Sequence, residues 1–110
     1  MRRIPDTLRE EMAADPYYSR CCITGAHSTP SDPIEWHHTL IYAGKQISEK
    51  WAIVPVLRSL HEQVPGNRVV REKCIRIALN RATDDELRPY SKAINYIDER
   101  AYLNEKYGNA

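Results

Sequence analysis

Three breakers divide this chain: Asp15-Pro16, the run Pro65-Gly66-Asn67, and Pro89. Proline ends or kinks a helix and pushes the residue before it out of the helical region, so no periodic segment passes unbroken through these points. Before the first breaker, "PDTLREEMAAD" opens with Pro5 and Asp6 and places Leu8 and Met12 four apart, which predicts a short amphipathic helix. Between the first and second breakers the signals turn extended. "YYSRCCITG" is aromatic and β-branched and ends in Gly25, "AHSTPSDP" is a cluster of turn formers, and "IEWHHTLIY" is again strand-like, followed by an "AGKQ" turn. The two strand-like runs are expected to pair as an antiparallel hairpin with a long connection. Pro55 suits the first turn of a short helix, Pro55 to Val64, with His61 inside it.

After the second breaker, "RVVREKCIRIALNRA" sets Val70, Cys74 and Ile77 at helical spacing. Its five cations, Arg68, Arg71, Lys73, Arg76 and Arg81, face Glu72 alone. The last segment starts with the capping signature Thr83-x-x-Glu86 and carries Tyr90, Ile94, Ile97 and Ala101 along one face, with Pro89 dividing it into a turn and a final long helix. The pattern predicts one α+β domain over residues 1–110, with a core at about 17–64 and a helical extension at 66–108.

Sixteen Lys and Arg against fifteen Asp and Glu leave a net charge of +1, so any pull on nucleic acid must be local. Three cysteines, two of them adjacent, fit a reduced compartment better than a disulfide scaffold. No run of about 18 apolar residues appears and "MRRIPDTLREEM" lacks a signal-peptide core, so a cytoplasmic protein with no membrane partner is expected. Tyr96, Tyr102 and Tyr107 read as exposed, which suits either a homodimer or a cover for the chain's own core.

His37 and His38 are neighbours on one strand and therefore point to opposite faces. His61 follows some twenty residues later, close enough to close a strand-loop-helix unit. If His37 and His61 hold a divalent ion, His38 is free to take a proton from water. The plainer alternative is a half-buried His37, a surface His38, and a His61 favoured by a helix C-terminus.

The blocks "CCITG", "IEWHH" and "AIVPVLRSLH" resemble the HNH endonuclease family, the ββα-metal or His-Me finger nucleases. That family's motif runs through C-x-x-C-G, D/H-H and N-L-x-P-L-C-x-x-C-H. The resemblance covers Cys21 to about Val64, with Pro55 and His61 six residues apart as in the motif. Carried over by position, it implies His37 and His61 as metal ligands and His38 as general base. The family's middle asparagine aligns with Ala52, and its four structural-zinc cysteines align with Cys21, Thr24, Leu57 and Leu60. One thiolate does not make a structural zinc site, so no structural zinc is expected and apolar packing by Leu57 and Leu60 takes its place.

The resemblance implies a ββα-metal core carrying an N-terminal helix and C-terminal helices. The implied function is a metal-dependent endonuclease acting on DNA, with low sequence specificity or a preference for branched or nicked structure, similar to small phage-derived members. Its cofactor would be one divalent ion, Mg or Mn first and Ni or Zn as alternatives. Glu35 and Glu62 are the nearest carboxylates for a third ligand, or are surface charges. Lys45 and Arg58 are candidate phosphate contacts or solvated cations, and Arg68, Arg71, Lys73 and Arg76 form either a DNA-backbone contact or a solvated helix face. The competing function is a catalytically impaired ββα domain that binds nucleic acid or protein.

Overall fold

The computed structural model describes residues 4–108, and the strand β4, Ile53–Leu57, lies at its centre. Ile53, Val54 and Val56 are wholly buried. Because side chains alternate along a strand, Ile53 packs with Ile4, Met12 and Tyr18 on one face, while Val54 and Val56 pack with Cys21, Cys74 and Ala78 on the other. Strand β1, Ile34–His38, pairs antiparallel with β4, matching Glu35 to Val56, His37 to Val54 and His38 to Ile53. Pro55 is therefore a strand residue opposite Trp36, not the opening of a helix over 55–64. Its carbonyl accepts from Cys22 N–H at 2.8 Å on the edge away from β1. A residue's N–H and C=O leave a strand on the same side, so the missing proline N–H costs the β1–β4 ladder nothing.

Helix α1 spans Asp6–Ala14 and buries Met12. The strand expected from "YYSRCCITG" does not form. Pro16–Ser19 is instead a 3-10 turn, opened by the Asp15 carboxylate accepting from Tyr17 N–H. Cys21 to Gly25 closes a tight turn in which Gly25 N–H reaches Cys21 O at 2.8 Å with Gly25 at φ +76°, a conformation natural to glycine. None of the expected pairing forms: Arg20 makes an isolated bridge to His27 in the following loop, and the antiparallel partner of β1 is β4. Between β1 and β4 a small hairpin, β2 Ile41–Tyr42 and β3 Lys45–Gln46, turns through Ala43 and Gly44, both at positive φ, as a two-residue hairpin loop requires.

Helix α2 is one turn, Arg58–His61. After it, Asn67 caps α3, Arg68–Arg81, by accepting from Val69 and Val70 N–H. Thr83 and Glu86 form the expected capping box on α4, Asp84–Leu87. Arg88–Tyr90 is a 3-10 turn, and Asn95 caps α5, Tyr96–Tyr107. Ile94 precedes this helix and is exposed, and Ala101 is also exposed, so the predicted apolar face is displaced. The buried face is Tyr96 and Leu103, which join Leu79, Leu87, Trp51 and Leu40 in the largest core cluster. Tyr96 is thus a core residue, Tyr107 is half-buried, and Tyr102 is exposed. The α+β class holds. Residues 1–3 and 109–110 of the expected 1–110 domain lie outside the described residues.

Glu72 on α3 clasps α5, accepting from Lys106 Nζ at 2.8 Å and Tyr107 Oη at 2.6 Å. Those two hydrogen bonds hold its pKa down, to about 2. The folded pKa lies below the ordinary 4.5, so this clasp stabilises fully above that value and is lost as pH falls toward about 2. Thermal melts between pH 6 and pH 2 should show Glu72→Gln with a lower Tm at pH 6 and a smaller acid-induced loss than the parent protein.

Candidate functional site

Alternation along β1 separates the adjacent histidines. Glu35 and His37 share one face, opposite Val56 and Val54, while Trp36 and His38 stand on the other, opposite Pro55 and Ile53. Helix α2 then carries His61 to the Glu35–His37 face. The rings of His37 and His61 lie 4.9 Å apart at a 56° tilt. Glu35 Oε1 is 2.9 Å from His61 Nδ1, and Glu35 Oε2 accepts from Arg58 Nε at 2.9 Å. A short helix needs help to hold this pose, because four residues cannot sustain themselves. Asp32 gives it by accepting from the Ser59 N–H at 2.9 Å and from the Ser59 hydroxyl at 2.7 Å, while Arg58 N–H bonds to Pro33 O.

Burial, reinforced by the neighbouring His61 and His38, pushes the His37 pKa down to about 4. Burial also lowers that of His38. The two hydrogen bonds from Arg58 and His61 hold the Glu35 carboxyl below its usual range. The result is an ionised carboxylate fixing Nδ1–H of one imidazole beside a second imidazole kept neutral. A carboxylate on the far nitrogen is how metal-ligating histidines are commonly oriented. It leaves His61 Nε2 and the neutral His37 ring facing each other. Among the described residues no group of three or more His, Cys, Asp or Glu is disposed to hold a metal ion. Two imidazole nitrogens alone are an incomplete coordination set, so any ion here would need water or substrate oxygens in its remaining positions.

His38 Nε2 is enclosed and has no hydrogen-bond partner among the described residues. The loop after His38 is closed by Thr39, whose hydroxyl and N–H both donate to Ala52 O, at 2.7 and 3.0 Å. Ala52 itself is wholly buried against the main core. On the same side of β4 as Val54 and Val56, burial pushes the Cys21 thiol pKa up, but the Thr24 hydroxyl and the backbone N–H groups of Leu57, Thr24 and Ile23 together lower it. Leu57 and Leu60 pack against the cluster containing Cys21.

The remaining candidates are dispersed. Lys45 lines a separate groove with Tyr42, Ser48 and Tyr90. Arg68 pairs with Glu72 at 3.6 Å, Arg71 donates to the carbonyls of Val64 and Pro65, and Arg76 donates to Asn104 at 2.8 Å. Lys73 is exposed. Glu62, the other carboxylate weighed as a ligand, is exposed, whereas Glu35 meets the site. No local sequence signal marks the roles of Asp32 and Thr39, which depend on contacts to Ser59 and Ala52 far along the chain. Glu35 had a readable signal, since it stands two residues before His37 and so shares its face.

Comparison with family models, curated proteins and solved structures returns no match for this chain. An NMR pH titration of the imidazole protons should place the His37 inflection near pH 4 and that of His38 below 6.5. A His37 that titrates at the ordinary value would contradict its burial beside His61. Since the folded form resists protonation, the stability tied to His37 is complete above pH 6.5 and declines as pH falls toward about 4.

Proposed function

We propose that this chain is a metal-dependent endonuclease that hydrolyses DNA phosphodiester bonds, using a ββα-metal arrangement like that of HNH nucleases. The observation that carries this reading is the His37–His61 pair, with one imidazole from the first strand of an antiparallel pair and the other from the helix after the second strand. The order of β1, β4 and α2 and the register of the three histidines also support it. His37 and His61 would hold one divalent ion, Mg or Mn before Ni or Zn, which when bound would stabilise negative charge on the phosphate and on the leaving oxygen. Glu35 fixes the His61 tautomer. Arg58, exposed beside Glu35, would meet a phosphate oxygen. His38, kept neutral by burial, accepts a proton from the attacking water at Nδ1. Thr39 does for the loop what a side-chain amide at position 52 would do, by tying the end of β1 to the Ala52 carbonyl.

The DNA contact falls on Lys45 and Lys73 before Arg58, Arg68, Arg71 and Arg76, because the four arginines already bond to protein groups. The proposed setting is the cytoplasm, and no described helix is long and apolar enough to cross a membrane. One observation favours a second reading. The enclosed Nε2 of His38 and its position opposite Ile53 suit a domain that binds DNA without cleaving it.

Supercoiled plasmid incubated with the protein and Mn2+ or Mg2+ decides between the two. The endonuclease reading expects metal-dependent nicking that falls by about 100-fold or more in His38→Ala. DNA binding with no nicking in any of the four metals selects the second reading. Calorimetric titration with Mn2+ should show Glu35→Gln weakening the ion by about 10–100-fold, and His61→Ala losing it.

A further inference from the structure

A cleft of about 540 Å3 runs along β1 and reaches His61, lined by Ile4, Arg9, Ile34, Glu35, Trp36 and His61. The nuclease reading does not use Arg9 or Trp36. The two are arranged together: the Arg9 guanidinium, from exposed α1, lies over the Trp36 ring at 5.7 Å from its centroid. Trp36 is itself held edge-on by Tyr18, with ring centroids 6.1 Å apart, so the indole is a fixed surface. The remaining lining is apolar at Ile4 and Ile34 and ionic at Glu35 and His61. Glu35 is already paired with Arg58 and His61, which leaves the cleft without a free carboxylate to repel an anion.

We propose that this cleft is a binding site for a single unpaired nucleotide adjoining the cleaved phosphodiester, with its base on Trp36 and its phosphate on Arg9. This rests on the endonuclease reading for its place in a reaction, and it narrows the substrate to DNA with a single-stranded or frayed segment. The Arg9 guanidinium covers the Trp36 face on which a base would stack, so a base entering there displaces it and Arg9 turns to the phosphate; every base has such a face, so the site is tolerant of sequence. The volume lies within the ~300–1,000 Å3 range of small-ligand sites. A base within a duplex is stacked on both sides and enters only after leaving the stack. The cleft thus separates single-stranded from blunt duplex DNA by the cost of unstacking, without reading base edges.

The chain has two tryptophans, and Trp51 is buried away from an added ligand, so the quenchable part of the tryptophan emission reports on Trp36. Titration with an oligothymidylate of about ten nucleotides in EDTA should give saturable quenching. Arg9→Ala, an exposed substitution that leaves the fold intact by circular dichroism, should weaken this binding by about tenfold. A blunt hairpin duplex should quench about tenfold more weakly, and Trp36→Phe should remove the quench. Absence of quenching, an unchanged affinity in Arg9→Ala, or equal quenching by the duplex overturns the proposal. Plasmid nicking without oligothymidylate quenching overturns the cleft and leaves the nuclease standing. Quenching that depends on Arg9, with no nicking in any metal, retains the nucleotide site and removes the nuclease reading.

Discussion

The carbonyl of Ile53 accepts from Arg81 Nη1 at 3.0 Å and lies 2.9 Å from the Tyr18 hydroxyl, which in turn accepts from Arg81 at 2.8 Å. Both donors also reach the Lys50 carbonyl. The guanidinium sits over the Tyr17 ring at 4.1 Å. One cation near the end of α3 therefore ties the 3-10 turn after α1 to the first residue of β4. Hydrogen bonds to a charged group contribute about 1.5–3 kcal/mol each where they are sheltered, and here they secure the start of the central strand. Lys50 adds an ion pair to Asp15 at 2.9 Å across the same junction. With Ile53 fixed, the antiparallel register sets His38 opposite it and His37 opposite Val54, and a slip of one residue would exchange the two histidines between faces.

From that register the site follows in short steps. Val54 and Val56 bury one face of β4 against α3, so β1 presents Glu35 and His37 on that side. The chain leaves β4 directly into α2, and the Asp32 carboxylate holds the first turn of that helix through Ser59. His61 then has one place to go, next to His37, where Glu35 takes its Nδ1. The chemistry of the pair depends on burial as much as on position. A neutral His37 can donate a lone pair at any physiological pH, and an ionised Glu35 keeps His61 in one orientation.

Much of this was legible in the sequence because it depends on local rules. The capping box at Thr83, the breakers at Pro16 and at Pro65 to Asn67, and the alternation that parts His37 from His38 require no knowledge of distant contacts. The errors came where local signals are degenerate. Pro55 is equally at home in the first turn of a helix and on the outer edge of a strand, and only the Cys22 N–H at its carbonyl distinguishes them. "YYSRCCITG" has strand composition, but Tyr18 was needed at Ile53 and Arg81, and tertiary contacts outweighed propensity. The basic face of α3 looked like a nucleic-acid contact because sequence shows charge and not partners. Arg71, Arg76 and Arg81 spend theirs on carbonyls, an amide and a tyrosine. The Asp32–Ser59 clamp joins residues 27 positions apart, and no spacing rule reveals it.

The central claim is that His37 and His61 form one ion-binding pair on a strand–strand–helix frame. Anomalous diffraction from crystals of the protein soaked in Mn2+ tests it most directly. The account predicts one peak within bonding distance of a nitrogen from each of these two rings, with Glu35 still on His61 Nδ1. A Mn2+ peak elsewhere, or none at this pair with the two rings as close as described, would contradict it.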